Sequence, residues 1–67
     1  MTLSEYIRSK GVTVPLLAQE MNVSRQAIYK WGKNYVPTAK TLKRISAALG
    51  NLGVTATPVE IFAAIQK

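Results

Sequence analysis

The sequence predicts an all-α fold, with five short helices in one compact domain over residues 1–67. Three observations predict it. Five segments each begin with a serine or threonine suited to cap a helix, and their apolar residues recur at helical spacing. No stretch of any length alternates apolar and polar residues as a strand does. A chain this short buries only about 60% of its unfolded surface, so we expect one core of marginal stability.

The first two helices have clear start and stop signals. Thr2 and Glu5 form the pattern of a capping box, and Gly11 supplies the left-handed residue that ends the first helix. Thr13 caps the second helix. Asn22 ends it, because asparagine follows glycine in its ease of adopting the left-handed conformation. The residues predicted to face the core are Leu3, Tyr6, Ile7, Val14, Leu17, Ala18 and Met21.

The third and fourth helices are bounded in the same way. Ser24 caps the third helix and Gly32 ends it, whereas Thr38 caps the fourth helix and Gly50 with Asn51 closes it. At 3.6 residues per turn, one face of each helix is apolar and the opposite face is polar. The inward residues are Ala27, Ile28, Trp31, Leu42, Ile45 and Leu49.

The fifth helix, predicted over residues 58–66, begins with a second capping box. Thr57 and Glu60 form the box, and Pro58 takes the first helical position, where its missing amide costs little.

The apolar residues of this last helix spread over more than half of its circumference, whereas one core needs a stripe of only about 100°. We expect Val59, Phe62 and Ala63 to face the domain's own core. Ile61 and Ile65 are then expected to face a second subunit. The alternative is that a small domain wraps the whole helix into its core.

The composition argues against catalysis. The chain has no cysteine and no histidine, which excludes disulfides, thiolate metal sites and the commonest general base at neutral pH. Its acids are only Glu5, Glu20 and Glu60. We therefore expect no enzyme activity, no metal site and no cofactor.

The charge is concentrated in the middle of the chain. Nine lysines and arginines against three acids give a net charge of +6, and no acid lies between Met21 and Val59. Such a one-signed stretch favours a polyanionic partner, nucleic acid before membrane, although a merely solvated surface is the alternative. No apolar run approaches the ~20 residues of a membrane span, and a cysteine-free chain suggests a cytoplasmic protein. The bases of this stretch are Arg25, Lys30, Lys33, Lys40, Lys43 and Arg44.

The second and third helices meet the mechanical requirements of a helix-turn-helix over about residues 14–32. Two helices of about two turns, joined by three residues, cross at a steep angle. Ala18 is small enough for a close crossing, Asn22 suits the turn, and Val23 fills the corner.

At these residues the sequence resembles the lambda-repressor-like helix-turn-helix family. The resemblance rests on LAQEMNVSRQAIYKW and continues through VPTAKTLKRISAALG, covering about residues 13–50. The whole length is similar to the small Cro-type phage repressors. The sequence departs from the family at Asn22, where glycine is commonest, and at Val14, where many members have a phosphate-binding glutamine.

The resemblance implies a sequence-specific regulator that binds double-stranded DNA as a homodimer, without a small-molecule ligand. It would repress transcription from a two-fold operator in the cytoplasm or nucleoid of a bacterial host. The third helix would be the recognition helix in the major groove. The positions that match base-contacting residues of the family are Ser24, Arg25, Gln26, Tyr29 and Lys30. The residues expected to contact phosphates are Thr13, Lys33, Asn34, Tyr35 and Lys40.

Other interpretations stay open at this point. Ser24 could be only a cap, Arg25 and Gln26 only solvated, and Tyr29 packed sideways on a neighbouring helix. At the level of function, the rivals are an antitoxin-like protein-interaction module with secondary DNA binding and a basic amphipathic membrane binder.

Overall fold

The computed structural model of the chain contains five α-helices in the predicted order. It describes residues 1–33 and 35–65, so the predicted phosphate contact of Asn34 and the predicted helical residue 66 lie outside the described residues. In the described part the fold is all-α, as predicted, with one isolated bridge between Trp31 and Tyr35. The helices are α1 (Leu3–Ser9), α2 (Val14–Met21), α3 (Arg25–Lys30), α4 (Ala39–Asn51) and α5 (Pro58–Ile65).

Both predicted capping boxes are present. The Thr2 hydroxyl accepts a hydrogen bond from the Glu5 amide at 3.3 Å, and the Glu5 carboxylate accepts one from the Thr2 amide at 2.9 Å. The donation from the Thr2 backbone stabilises the charged carboxylate and lowers the pKa of Glu5 below its ordinary value. Thr57 and Glu60 make the same reciprocal pair at 3.1 and 2.9 Å. These bonds satisfy amides that have no partner within the helix.

The ends of α2 and α4 differ in how well the sequence predicts them. Asn22 is left-handed, with φ of 59°, as expected. By contrast, Gly50 and Asn51 are both helical, and the left-handed residue after α4 is Gly53. The prediction placed this end too early, because the amides of Leu52 and Val54 still find acceptors in the last turn of α4.

The core draws on all five helices. α4 packs against α2 and α5, and α1 packs against α2, α3 and α5. The short α3 contacts only α1 and α2 among the helices, so one of its faces remains open to solvent. The inward faces predicted for the first four helices are confirmed, with Ala27 only partly buried. The largest fully buried side chains are Leu3, Ile7, Leu17, Ile28, Ile45, Leu49 and Ile61.

The predicted orientation of the last helix is wrong except at Phe62, which is partly buried against the core. Ile61 and Ile65 are 0% and 2% exposed in the domain's own core, whereas Val59 is 76% exposed and Ala63 is also on the surface. The inward arc is the one that meets both α1 and α4, and the two isoleucines occupy it one turn apart. Neither isoleucine is available to a second subunit, so the two residues do not form a dimer interface.

Gly32 lies just after α3, where the chain meets the start of α1. Its φ is 86°, and a Cβ atom added there would lie 2.9 Å from Thr2 Cα and 3.2 Å from Ile65 Cβ. At the same junction the Leu3 amide donates a hydrogen bond to the Trp31 carbonyl at 3.1 Å. Glycine is required here both by the backbone conformation and by the close approach of α1.

We predict that Gly32→Ala is much more destabilising than Gly53→Ala. Gly53 has nearly the same φ, 87°, but a Cβ atom added there would lie in open space, so its substitution isolates the backbone strain of about 1–2 kcal/mol. At Gly32 the overpacking against α1 adds about 1–3 kcal/mol. Urea unfolding followed by Trp31 fluorescence measures both free energies. An equal loss of unfolding free energy in the two variants would show that α1 moves to accommodate the Cβ atom and that the close approach at Gly32 does not matter.

Candidate nucleic-acid interface

The turn between α2 and α3 is held by backbone bonds and one apolar side chain. The amide of the left-handed Asn22 donates to the carbonyls of Ala18 and Gln19. The Val23 amide donates to the Ala18 carbonyl at 3.0 Å, and its side chain packs against the core. These contacts fix the direction in which the chain enters α3, and none of them involves a side chain of that helix.

α3 has a buried anchor side and an exposed polar side. Ile28 is buried on the helix itself, and Trp31 is buried although α3 ends at Lys30, earlier than predicted, and Trp31 has extended backbone. The Ser24 hydroxyl accepts a hydrogen bond from the Ala27 amide at 3.2 Å. Ser24 is thus a helix cap, as predicted. Half of the Tyr29 side chain is open to solvent, since it is 50% exposed. The exposed residues of this helix are Arg25, Gln26, Tyr29 and Lys30.

Some of the predicted contact residues come together in space and others do not. Tyr35 lies beside α3, where the Lys30 ammonium stands 5.8 Å from the centre of its ring. Thr13 and Lys40 are exposed at the starts of α2 and α4, outside this cluster. A single recess of about 520 Å³ is lined by Gln26, Tyr29, Lys30, Lys33 and Tyr35.

The surface of the acid-free stretch is strongly basic, because all six of its lysines and arginines are exposed. Arg44 also has a structural role that the sequence analysis missed. Its Nη2 atom donates to the Met21 carbonyl at 3.1 Å, at the end of α2. A second hydrogen bond joins the same helices, since Asn51 Nδ2 donates to Glu20 Oε2 at 2.9 Å. α4 therefore braces α2 next to the turn.

A helix-turn-helix family model matches residues 3–55, which include α1 to α4 and both helices of the motif. The chain belongs to the lambda-repressor-like helix-turn-helix family. It is a DNA-binding helix-turn-helix regulator, of a family that is typically non-enzymatic. No curated protein and no solved structure gives a significant match. Within residues 1–33 and 35–65, no helix has the length and apolar character needed to cross a membrane.

We predict that Arg44→Met destabilises this lambda-repressor-like domain by about 1–2 kcal/mol, because it keeps the apolar stem but removes a charge-assisted bond to a helix terminus. The matched control is Lys43→Met, which removes the neighbouring exposed charge on the same helix and is expected to change stability by less than about 0.5 kcal/mol. Urea unfolding at low protein concentration gives both values. Equal stability of the two variants would mean that the Arg44–Met21 bond contributes nothing.

Proposed function

We propose that this protein represses transcription in a bacterial cell by binding a two-fold operator as a homodimer, with α3 in the major groove. The observation that carries the proposal is the two-sided character of α3. Its buried side is anchored by Ile28 and by Trp31, which directly follows the helix, and its other side exposes side chains with hydrogen-bonding groups within an acid-free basic surface. An α-helix with such a face fits the width of the major groove.

The proposed base contacts lie near the start of α3. The Arg25 guanidinium has the geometry to pair bidentately with guanine, and the Gln26 amide has the geometry to pair with adenine. Each contact discriminates by about 1–3 kcal/mol against a wrong base. Ser24, Tyr29 and Lys30, which are also exposed, complete the proposed set.

The proposed phosphate contacts surround this face. Lys33 carries an exposed charge in the segment that joins α3 to α4, and Lys40 carries one in the first turn of α4. Thr13 is exposed at the start of α2, where the positive end of the helix dipole attracts an anion. Such contacts set the position of the protein on DNA, whereas base contacts set sequence preference. Each neutralised phosphate adds about 0.9 to the slope of log K against log salt concentration.

The proposed dimer surface is the apolar groove between α4 and α5. This open groove has a volume of about 360 Å³, and Pro37, Leu42 and Phe62 are among its lining residues. Val59 projects at its edge. A two-fold interface places the same patch on both copies, so a patch with both a recess and a projection suits self-association.

The charge of the protein makes this dimer dependent on DNA. Each copy carries a net charge of +6, and the groove is flanked by Lys43, so two free copies repel each other. Operator phosphates neutralise that repulsion. We therefore expect weak self-association in solution and cooperative association on DNA.

The same groove is the observation that favours the rival function, an antitoxin-like module that binds a different protein. In that case the apolar recess between α4 and α5 would take a partner's side chains, and DNA binding would be secondary. The two functions differ in what occupies the groove. In the proposed function a second copy of this chain occupies it, and in the rival function a different protein does.

We predict that selection from a random double-stranded DNA library enriches an inverted repeat with half-sites about one helical turn apart. Arg25→Ala and Gln26→Ala should each weaken binding to the enriched site about 5- to 150-fold, the range that corresponds to about 1–3 kcal/mol, and relax preference at one position. Arg8→Ala, which removes an exposed charge on α1, is the control and should keep the preference. No enrichment by folded protein would contradict the proposed function.

We predict that Val59→Lys abolishes cooperativity between half-sites but leaves binding to a single half-site intact. The added charge would be buried against the partner's groove, which weakens the contact between the two copies. We expect at least a tenfold lower affinity for the two-half-site duplex. Thr55→Lys, at an exposed polar position of the preceding loop, is the control for added charge. Titration of both duplexes and sedimentation on DNA measure the effect. Cooperative binding by Val59→Lys equal to that of the parent would rule out this groove as the dimer surface.

A further inference from the structure

The recess beside α3 contains two tyrosines that contribute little to the core. Tyr29 and Tyr35 are 50% and 52% exposed, and both line the same recess of about 520 Å³. A large aromatic ring left half in water forgoes part of the free energy that its burial would give. Two such rings in one recess, on a DNA-binding face, indicate a place where apolar surface is covered when DNA binds.

The angular position of Tyr29 directs it toward the bases. At about 100° per residue, Tyr29 falls between Arg25 and Gln26 on the exposed face of α3, and lies about 4.5 Å further along the axis than Gln26. Successive base pairs are about 3.4 Å apart. If Gln26 pairs with an adenine and α3 runs along the major groove, Tyr29 is therefore within reach of an adjacent base pair.

The charges around the recess restrict what it takes. Lys30 and Lys33 supply cations at its edge, and the Lys30 ammonium lies over the Tyr35 ring, 5.8 Å from its centre. The ligand is thus an apolar group set among anions. In the major groove, the apolar group that a base edge presents is the C5-methyl of thymine.

We propose that the Tyr29–Tyr35 recess binds the C5-methyl group of a thymine next to the base pair read by Gln26, and that Tyr29 is a specificity-determining residue. This inference rests on the proposed binding of α3 in the major groove. Tyr29 provides the apolar contact, and Tyr35, held against Lys30, forms the opposite wall. The recognised feature is the methyl group itself, so 5-methylcytosine at the same position presents the same chemistry.

The test uses the best duplex from the library selection, with each thymine of a half-site replaced in turn by deoxyuridine. At one position the full-length protein should lose about fourfold in affinity per half-site, the factor that corresponds to burying one methyl group. Tyr29→Phe should keep this sensitivity, because the ring remains. Tyr29→Ala should lose it and bind the thymine and deoxyuridine duplexes equally. With a C·G pair at that position, methylation of the cytosine should recover most of the fourfold in the parent and none in Tyr29→Ala.

Two outcomes would overturn the inference. One is insensitivity to deoxyuridine at every thymine, and the other is a sensitivity that persists unchanged in Tyr29→Ala. Either result leaves the proposed function intact if Arg25→Ala and Gln26→Ala still weaken binding to the selected site. Failure of the selection itself would instead remove the proposed function on which the inference rests.

Discussion

The rest of the structure depends on the packing that holds the buried side of α3. α3 has only six residues, too few for an isolated helix to be stable in water. Its orientation comes from burial of Ile28 and Trp31 and from the bond between the Trp31 carbonyl and the Leu3 amide. Gly32 allows α1 to approach closely enough to make that bond. The exposed face of α3 is therefore as well defined as the packing of its opposite face.

A second layer of support comes from α4, which does not touch α3. It holds α2 through the Arg44–Met21 and Glu20–Asn51 bonds, both close to the end of α2. Because the turn at Asn22 follows directly, the position of α4 determines where α3 begins. Arg44 thus stabilises the fold, although it also contributes to the net positive charge that favours DNA binding.

The surface divides into regions with different physical tasks. In the proposed function, the hydrogen-bonding groups on the α3 face contact bases, with two half-exposed tyrosines beside them, and the surrounding lysines contact phosphates. The groove between α4 and α5 is apolar and lies outside the α3 recess, with no lining residue in common. In the proposed function these tasks are coupled, since DNA reduces the repulsion that opposes contact between two grooves.

The local features of the fold were predictable from the sequence, because their signals act within three or four residues. Thr2, Thr13, Ser24, Thr38 and Thr57 all cap helices where expected, and the inward faces of α1 to α4 follow the spacing of apolar residues. The family, and with it DNA binding by a helix-turn-helix, follows from the same local pattern of small, apolar and turn residues.

Tertiary structure decided what depends on contacts distant in sequence. In α5 the apolar residues surround more than half of the helix, so spacing alone did not show that Ile61 and Ile65 face inward and Val59 outward. The Arg44 bond spans 23 residues, and Gly32 meets residues at both ends of the chain. By itself the sequence determined the helices and the motif, whereas packing determined which apolar and basic residues remain free to bind a partner.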